Sequence, residues 1–95
     1  MTRPELPPVT HLLALLQHME WADATIWREV LALPAERAAP AMMQRLHHVH
    51  LVQRVFLSRW RQEGLTLTPL EHFRDLRSLA RWGRDYYPEA RAMVA

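Results

Sequence analysis

Between His11 and Leu33 the chain contains neither proline nor glycine, and apolar residues recur at steps of three, four or seven positions. The recurring residues are Leu12, Leu16, Met19, Ile26, Val30 and Leu33. This spacing places the apolar side chains on one face of an α-helix. The pattern therefore predicts a first helix over residues 10–33, which Pro34 ends.

A second apolar stripe follows after a short interruption. It consists of Met42, Leu46, Val49, Val52, Phe56 and Trp60. The stripe predicts a second helix over residues 41–62 and a connection over residues 34–40. Pro40 suits the first turn of this helix, where a missing N–H costs nothing, and Gly64 is the expected stop.

The start of a third helix is indicated by Thr68-Pro69-Leu70-Glu71. In this capping box Thr68 accepts from the backbone N–H of Glu71, and the Glu71 side chain reaches back to Thr68. Apolar residues then recur at Phe73, Leu76, Leu79, Ala80 and Tyr86. The pattern predicts a third helix over residues 69–87, ended by Pro88.

Three predicted helices with short connections indicate an all-α, up-and-down helical bundle in a single domain over residues 1–95. Only Gly64 and Gly83 are glycines, whereas a β protein of this size needs more for its turns. Three helices leave one side of such a bundle open. We therefore expect a fourth helix or a partner to cover it.

The composition excludes several kinds of chemistry. There are no cysteines, which rules out disulfides and thiolate metal ligands. A small secreted domain usually needs disulfides, and the first eight residues lack the apolar segment of a signal peptide, so a cytoplasmic location is expected. No apolar run is long enough to span a membrane. All twelve basic residues are arginine, but a net charge of +2 is too small an excess to indicate nucleic-acid binding.

Histidine is the commonest metal ligand and the usual acid–base group near neutral pH, and three histidines lie close together: His47, His48 and His50. On a helix, His48 shares a side with Val52 and lies at the margin of the apolar stripe. His47 and His50 point roughly 100° and 200° away, which predicts that both face solvent. The three cannot chelate one ion, because His48 does not share a face with His47 or His50. From the residues alone, a hydrogen-bonded structural role for His48 is favoured over a ligand role.

The other candidate groups are scattered. His11, His18 and His72 form no HxxH or HxxxH pair. Among the carboxylates only Asp23 stands out, within the long first helix, and a salt bridge or hydrogen bond is its simplest role. The four tryptophans are most simply core or interface residues.

Two segments together resemble a known family. The first reads His18-Met19-Glu20-Trp21-Ala22-Asp23, and the second Leu46-His47-His48-Val49-His50-Leu51-Val52-Gln53-Arg54-Val55-Phe56-Leu57-Ser58-Arg59-Trp60-Arg61-Gln62-Glu63. They are similar to the DinB-like (DNA-damage-inducible) family of metalloenzymes. Its first helix often reads Trp-Ala-Asn, where this chain has Asp23. Its second often reads His-x-His-x-x-Gln, an aromatic residue and Trp-Arg-Gly-Glu, where this chain has Gln62 for the glycine. The resemblance covers Leu12 to Tyr87.

The resemblance implies a four-helix bundle, commonly a homodimer, that holds a divalent metal, zinc or nickel, with three histidines. One ligand comes from the second helix, where His48 aligns with it, or His50 if the register slips by two residues. The other two come from a HxxxH pair on a fourth helix, and this chain has no HxxxH. We therefore expect the chain to be the first three helices of such a bundle, cut short before the fourth.

The family's known chemistry activates a low-molecular-weight thiol for transfer or isomerisation of a small-molecule substrate. One imidazole cannot hold a catalytic metal, which normally needs about three protein ligands. The resemblance thus implies a metal-dependent, thiol S-transferase-like enzyme when complete, and an inactive chain over these 95 residues. The alternative is a non-enzymatic helical domain that dimerises or receives a partner helix on its open side.

Overall fold

The computed structural model describes residues 9–34 and 40–95. This part of the chain contains the helices α1 (Val9–Ala32), α2 (Pro40–Trp60), α3 (Leu76–Arg84) and α4 (Tyr86–Val94), and a short 3-10 turn at Leu70–His72. No strand occurs among these residues. The predicted all-α helical bundle is confirmed. The predicted connection over residues 34–40 lies largely outside the described residues.

The helices α1 and α2 begin and end within two residues of their predicted bounds. The predicted stop of α2 at Gly64 is wrong by two residues, because the chain leaves the helix at Gln62. Gln62 has a φ of 57°, its N–H donates to the Arg59 carbonyl at 3.1 Å, and the Glu63 N–H donates to the Ser58 carbonyl at 2.9 Å. This is the usual left-handed helix ending, with glutamine where glycine is preferred.

The predicted third helix over residues 69–87 is wrong at both ends. No side chain caps the short turn after Pro69. The capping box that forms pairs Asp75 with Ser78 instead: the Ser78 N–H donates to Asp75 Oδ1 at 2.8 Å, and the Asp75 N–H donates to Ser78 Oγ at 3.3 Å. The helix therefore begins at Leu76, after the Thr68–Glu71 sequence that had predicted its start.

Pro88 explains why the same stretch is divided into two helices. A proline ring crowds the carbonyl four residues earlier and offers no N–H to it, and α3 ends at that residue, Arg84. Pro88 then lies in the first turn of α4, where its missing N–H has no intrahelical partner to lose. The prediction that Pro88 ends a helix is wrong, because α4 continues past it to Val94.

The buried side chains form two apolar clusters, and these show how the helices are arranged. One contains Leu16, Leu57, Tyr86, Tyr87 and Ala90. The other contains Trp27, Val30, Phe73 and Leu79, with Met42, Met43 and Leu46 packed against it. The beginning of α1 thus meets the end of α2, and the end of α1 meets the beginning of α2. The two long helices are antiparallel, and both pack against α3 and α4.

Ion pairs fix α4 to both long helices. Arg54 of α2 and Arg61, the residue directly after α2, both contact the Glu89 carboxylate, the second at 3.3 Å. Arg91 of α4 donates to Glu20 of α1 at 2.7 Å. These side chains are partly exposed, so each pair contributes roughly 0.2–1 kcal/mol and serves mainly to orient α4.

The left-handed residue at the end of α2 gives the first testable expectation. Gln62→Gly removes the cost of holding a side chain at positive φ, and should raise the free energy of unfolding by about 1 kcal/mol. Glu63→Gly, one residue later, should lower it, because glycine only adds freedom to the unfolded chain. Urea denaturation of the two variants measures the difference. Equal effects of both glycines would show that the backbone at Gln62 is not strained.

Candidate functional site

His48, the predicted metal ligand, is exposed on the outer side of α2. His48 does lie beside the predicted apolar stripe, but that stripe is itself exposed, so the prediction that His48 lies at the margin of the core is wrong. Residues 9–34 and 40–95 contain no group of three histidine, aspartate or glutamate side chains able to hold one metal ion. The described residues do not by themselves fit the three-ligand metal centre that the resemblance implies.

His50, the second choice for a ligand, is buried, with 1% of its surface exposed. Its Nε2 accepts a hydrogen bond from the indole N–H of Trp27 at 3.0 Å, and its Nδ1 lies 2.8 Å from Gln53 Oε1. An indole nitrogen only donates, so Nε2 carries no hydrogen, and Nδ1 holds the hydrogen donated to Gln53. Both ring nitrogens are engaged and neither is open to a metal. The prediction that His50 faces solvent is wrong.

His47 was also predicted to face solvent, and this prediction is wrong because its side chain is half-buried. One ring nitrogen lies 2.8 Å from the Thr68 carbonyl oxygen. The ring packs against both Phe73 and Trp82, with centroid distances of 6.0 and 5.9 Å. His47 therefore holds the loop before α3 against α2.

These contacts show that α2 is rotated from the predicted orientation. The line that faces the core runs through Leu46, His50 and Leu57, roughly 80° around the helix from the line through Val49 and Phe56. The apolar stripe that predicted the buried face is mostly on the outside. The buried line mixes histidine, glutamine and arginine with leucine, so its hydrophobic signal is weak.

The hydrogen bonds around His50 continue to the other helices. The Gln53 amide N–H lies 3.4 Å from the Tyr87 hydroxyl, and that hydroxyl donates a short hydrogen bond to Asp23 Oδ2. Asp23 Oδ2 also lies 4.0 Å from His50 Nδ1. The hydrogen bond that the sequence predicted for Asp23 is thereby confirmed. The network joins α1, α2 and α4.

The two tyrosines of α4 are adapted to this dry environment. Burial raises the pKa of the Tyr87 phenol far above its usual value, and the hydrogen bond to Asp23 raises it further. Burial also raises the pKa of Tyr86. A raised pKa in the folded state favours the neutral phenol, so this stabilisation is fully present below the ordinary pKa of about 10 and is lost as the pH rises through the raised value.

Gly83 lets α3 cross directly over the His50 ring. A Cβ atom at this position would lie 2.5 Å from His50 Nε2 and within 2.7 Å of two ring carbons. No side chain fits there without displacing the imidazole. The buried position of the His50 ring therefore depends on glycine at position 83.

The rotation of α2 leaves an apolar surface exposed. We define the α1–α2 face by its exposed apolar side chains, each between 38% and 56% accessible: Leu12, Leu15, Ile26, Val49, Val52, Phe56 and Trp60. On each helix this stripe is turned by roughly 90° from the buried line, in the same rotational sense. The buried lines of the two antiparallel helices face each other, with Trp27 against His50, so equal rotations turn both stripes to the same side. The face therefore lies along the groove between α1 and α2, opposite α3 and α4.

Charged side chains lie along this face. Glu29 of α1 and Arg45 of α2, both exposed, continue the two stripes. Val30 and Leu46, their immediate neighbours, pack into the same apolar cluster. The two charges consequently lie at similar heights along the antiparallel pair. His48 is also exposed next to the face, one helical turn from Val52.

Comparisons of the chain with protein-family models, with curated proteins and with solved structures found no match. Within the described residues no helix is both long and apolar enough to cross a membrane.

The residues that sequence reasoning missed are Trp27, Gln53 and Gly83, the partners of His50. Gln53 lies one turn after His50, and this spacing was a usable signal. The contacts from α1 and α3 depend on the tertiary fold and left no signal in the sequence.

The opposite environments of two neighbouring histidines give a second expectation. His50→Ala leaves the Trp27 N–H and the Gln53 Oε1 without partners and opens a cavity, which should lower the free energy of unfolding by about 2–4 kcal/mol. His48→Ala, at an exposed helix position, should change it by less than about 0.5 kcal/mol. Chemical denaturation followed by circular dichroism measures both. A larger loss from His48→Ala than from His50→Ala would contradict the orientation of α2.

Proposed function

We propose that this chain is a helical dimerisation domain, in which the α1–α2 face of one copy packs against the same face of a second copy. The observation that carries the proposal is the concentration of seven large apolar side chains on one side of a small domain. Soluble monomers rarely expose contiguous apolar patches of more than a few hundred Å². Covering this face removes its side chains from water, at roughly 25 cal/mol per Å² of apolar surface.

The spacing of the exposed residues suits packing between helices. Along α1 the stripe runs through Leu12, Leu15 and Ile26, and along α2 through Val49, Val52 and Phe56. Steps of three and eleven residues on α1, and of three and four residues on α2, keep these side chains on one side of each helix, where a second helix can pack against them. The α1 and α2 helices of two copies would together form a four-helix bundle. The α3 and α4 helices of each copy would lie on its two outer sides.

Charge complementarity favours a second copy as the occupant. A two-fold axis that runs along the groove places α1 of one copy against α2 of the other. These two helices are then antiparallel, and residues at the same height within one chain also lie at the same height across the interface. Glu29 then meets Arg45 of the second copy, and the symmetry forms this pair twice. An isologous interface requires self-complementarity of this kind.

The proposal is tested by the oligomeric state. Wild-type protein should sediment as a dimer at micromolar concentration. Phe56→Glu places a charge within the face and should raise the dimer dissociation constant at least tenfold, with helix content unchanged. The matched control is Leu65→Glu, because Leu65 is also an exposed apolar residue, 58% accessible, but lies in the loop after α2. This variant should remain a dimer.

The charge pair provides a further control on the arrangement. Glu29→Arg and Arg45→Glu should each weaken the dimer, and the double variant should restore it. A wild-type monomer at these concentrations would contradict the proposal. So would equal weakening by Phe56→Glu and Leu65→Glu. If both single variants weaken the dimer and the double variant does not restore it, the two-fold arrangement described above is wrong.

A second candidate is a DinB-like metal protein of which this chain supplies one ligand. Two observations favour it. His48, which aligns with the family's second-helix ligand, has its ring exposed beside an uncovered face. Gln62, which replaces the family's glycine, has the positive φ that glycine prefers. Two more ligands would have to come from outside the described residues, and the activity would be transfer to or from a low-molecular-weight thiol.

This candidate is tested by the metal content of the native gene product. It should purify with about one equivalent of zinc or nickel, measured by mass spectrometry, and His48→Ala should lose the metal. His72→Ala is the control, since His72 is exposed but lies in the turn before α3. Full metal retention in His48→Ala would exclude His48 as a ligand and remove this candidate.

A further inference from the structure

A second surface, independent of the α1–α2 face, lies between α1 and α3. It is a cleft of ≈ 360 Å³, and the side chains of Trp27, Ala24, Leu31 and Ala80 contribute an apolar floor. Tyr87 contributes to the lining at one end. None of the residues that define the α1–α2 face lines this cleft. The two surfaces are on different sides of α1.

Arginines form the rim of the cleft. Arg28 projects from α1, and three more lie on one side of α3 at steps of four and three residues: Arg77, Arg81 and Arg84. All four are exposed. Among residues 9–34 and 40–95, none of the four comes within 4.0 Å of a carboxylate. Within these two ranges no carboxylate therefore pairs with the four guanidinium groups.

The carboxylates near the cleft do not neutralise this rim. Glu20 is bound by Arg91, and Asp23 accepts the hydrogen bond from Tyr87. The hydrogen bonds from Ser78 lower the pKa of Asp75, and the charges of Arg81 and Arg77 lower it further, but the Asp75 side chain caps the start of α3. Four arginines against two lining carboxylates leave a formal excess of two positive charges, before Arg91 is counted.

We propose that this cleft binds a small organic anion, specifically a carboxylate attached to a flat apolar body. Guanidinium groups recognise carboxylates through paired, parallel hydrogen bonds. The apolar body would lie on the floor beside Trp27 and Ala80, where it displaces water from apolar surface. The volume of the cleft is at the lower end of the range for small-molecule sites. The positive rim would draw such anions toward the cleft.

The proposal is tested with naphthoate as the probe and naphthyl methanol as its uncharged analogue. In titrations followed by amide NMR, naphthoate should shift the signals of Ala24 and Ala80 and should bind at least tenfold more tightly than the alcohol. The variant Arg28→Gln/Arg77→Gln removes one arginine from each wall and should weaken naphthoate binding at least tenfold. The matched control is Arg59→Gln/Arg74→Gln, which removes the same charge from exposed positions outside the cleft.

Four results would overturn the proposal. Equal affinity for the acid and the alcohol would show that the arginines do not recognise the anion. If the two double variants weaken naphthoate binding equally, the effect comes from the net charge of the protein and not from the cleft. Naphthoate-induced shifts confined to Val49 and Phe56 would place the ligand on the α1–α2 face, and the absence of any shift at millimolar naphthoate would equally count against the cleft.

Discussion

The burial of His50 is the constraint on which the rest of the structure depends. An imidazole removed from water needs partners for both ring nitrogens, because an unpaired buried polar group costs about 1–3 kcal/mol. The partners are Trp27 from α1 and Gln53 from the next turn of α2. The ring also needs space, which Gly83 of α3 provides, and Tyr87 of α4 extends the network to Asp23. All four helices are thus positioned around one side chain, in a polar layer between two apolar clusters.

This constraint also determines what the molecule presents to its surroundings. With His50 inward, α2 cannot bury Val49 and Phe56, and they join Leu15 and Ile26 of α1 on the uncovered side. His48 is turned outward by the same rotation. The proposed dimer and the candidate metal ligand therefore have a common origin. The arginine cleft lies on another side of α1, so a dimer formed through the α1–α2 face would leave the cleft open.

The sequence predicted the existence of the helices better than their orientation. Apolar periodicity located α1 and α2, but α2 carries two candidate faces, and the more apolar of them is exposed. Periodicity cannot recognise a buried line made of His50, Gln53 and Arg54, because the energy of such a line resides in specific hydrogen bonds. The third helix was misplaced for a similar reason. Thr68 and Asp75 are both plausible N-cap residues, and only the tertiary packing of this segment selects Asp75. The interruption at Asp85 was readable from Pro88, whose effect falls four residues earlier.

The protonation of the His50 ring tests the central claim most directly. In a long-range ¹⁵N–¹H correlation spectrum of the histidine side chains, His50 should show a single tautomer, with hydrogen on Nδ1 and none on Nε2, and its Nδ1 hydrogen should be protected from exchange with solvent. His48 in the same spectrum should behave as an exposed ring with rapidly exchanging hydrogens. A His50 ring with hydrogen on Nε2, or one that exchanges as fast as His48, would contradict the packing around which the four helices are arranged.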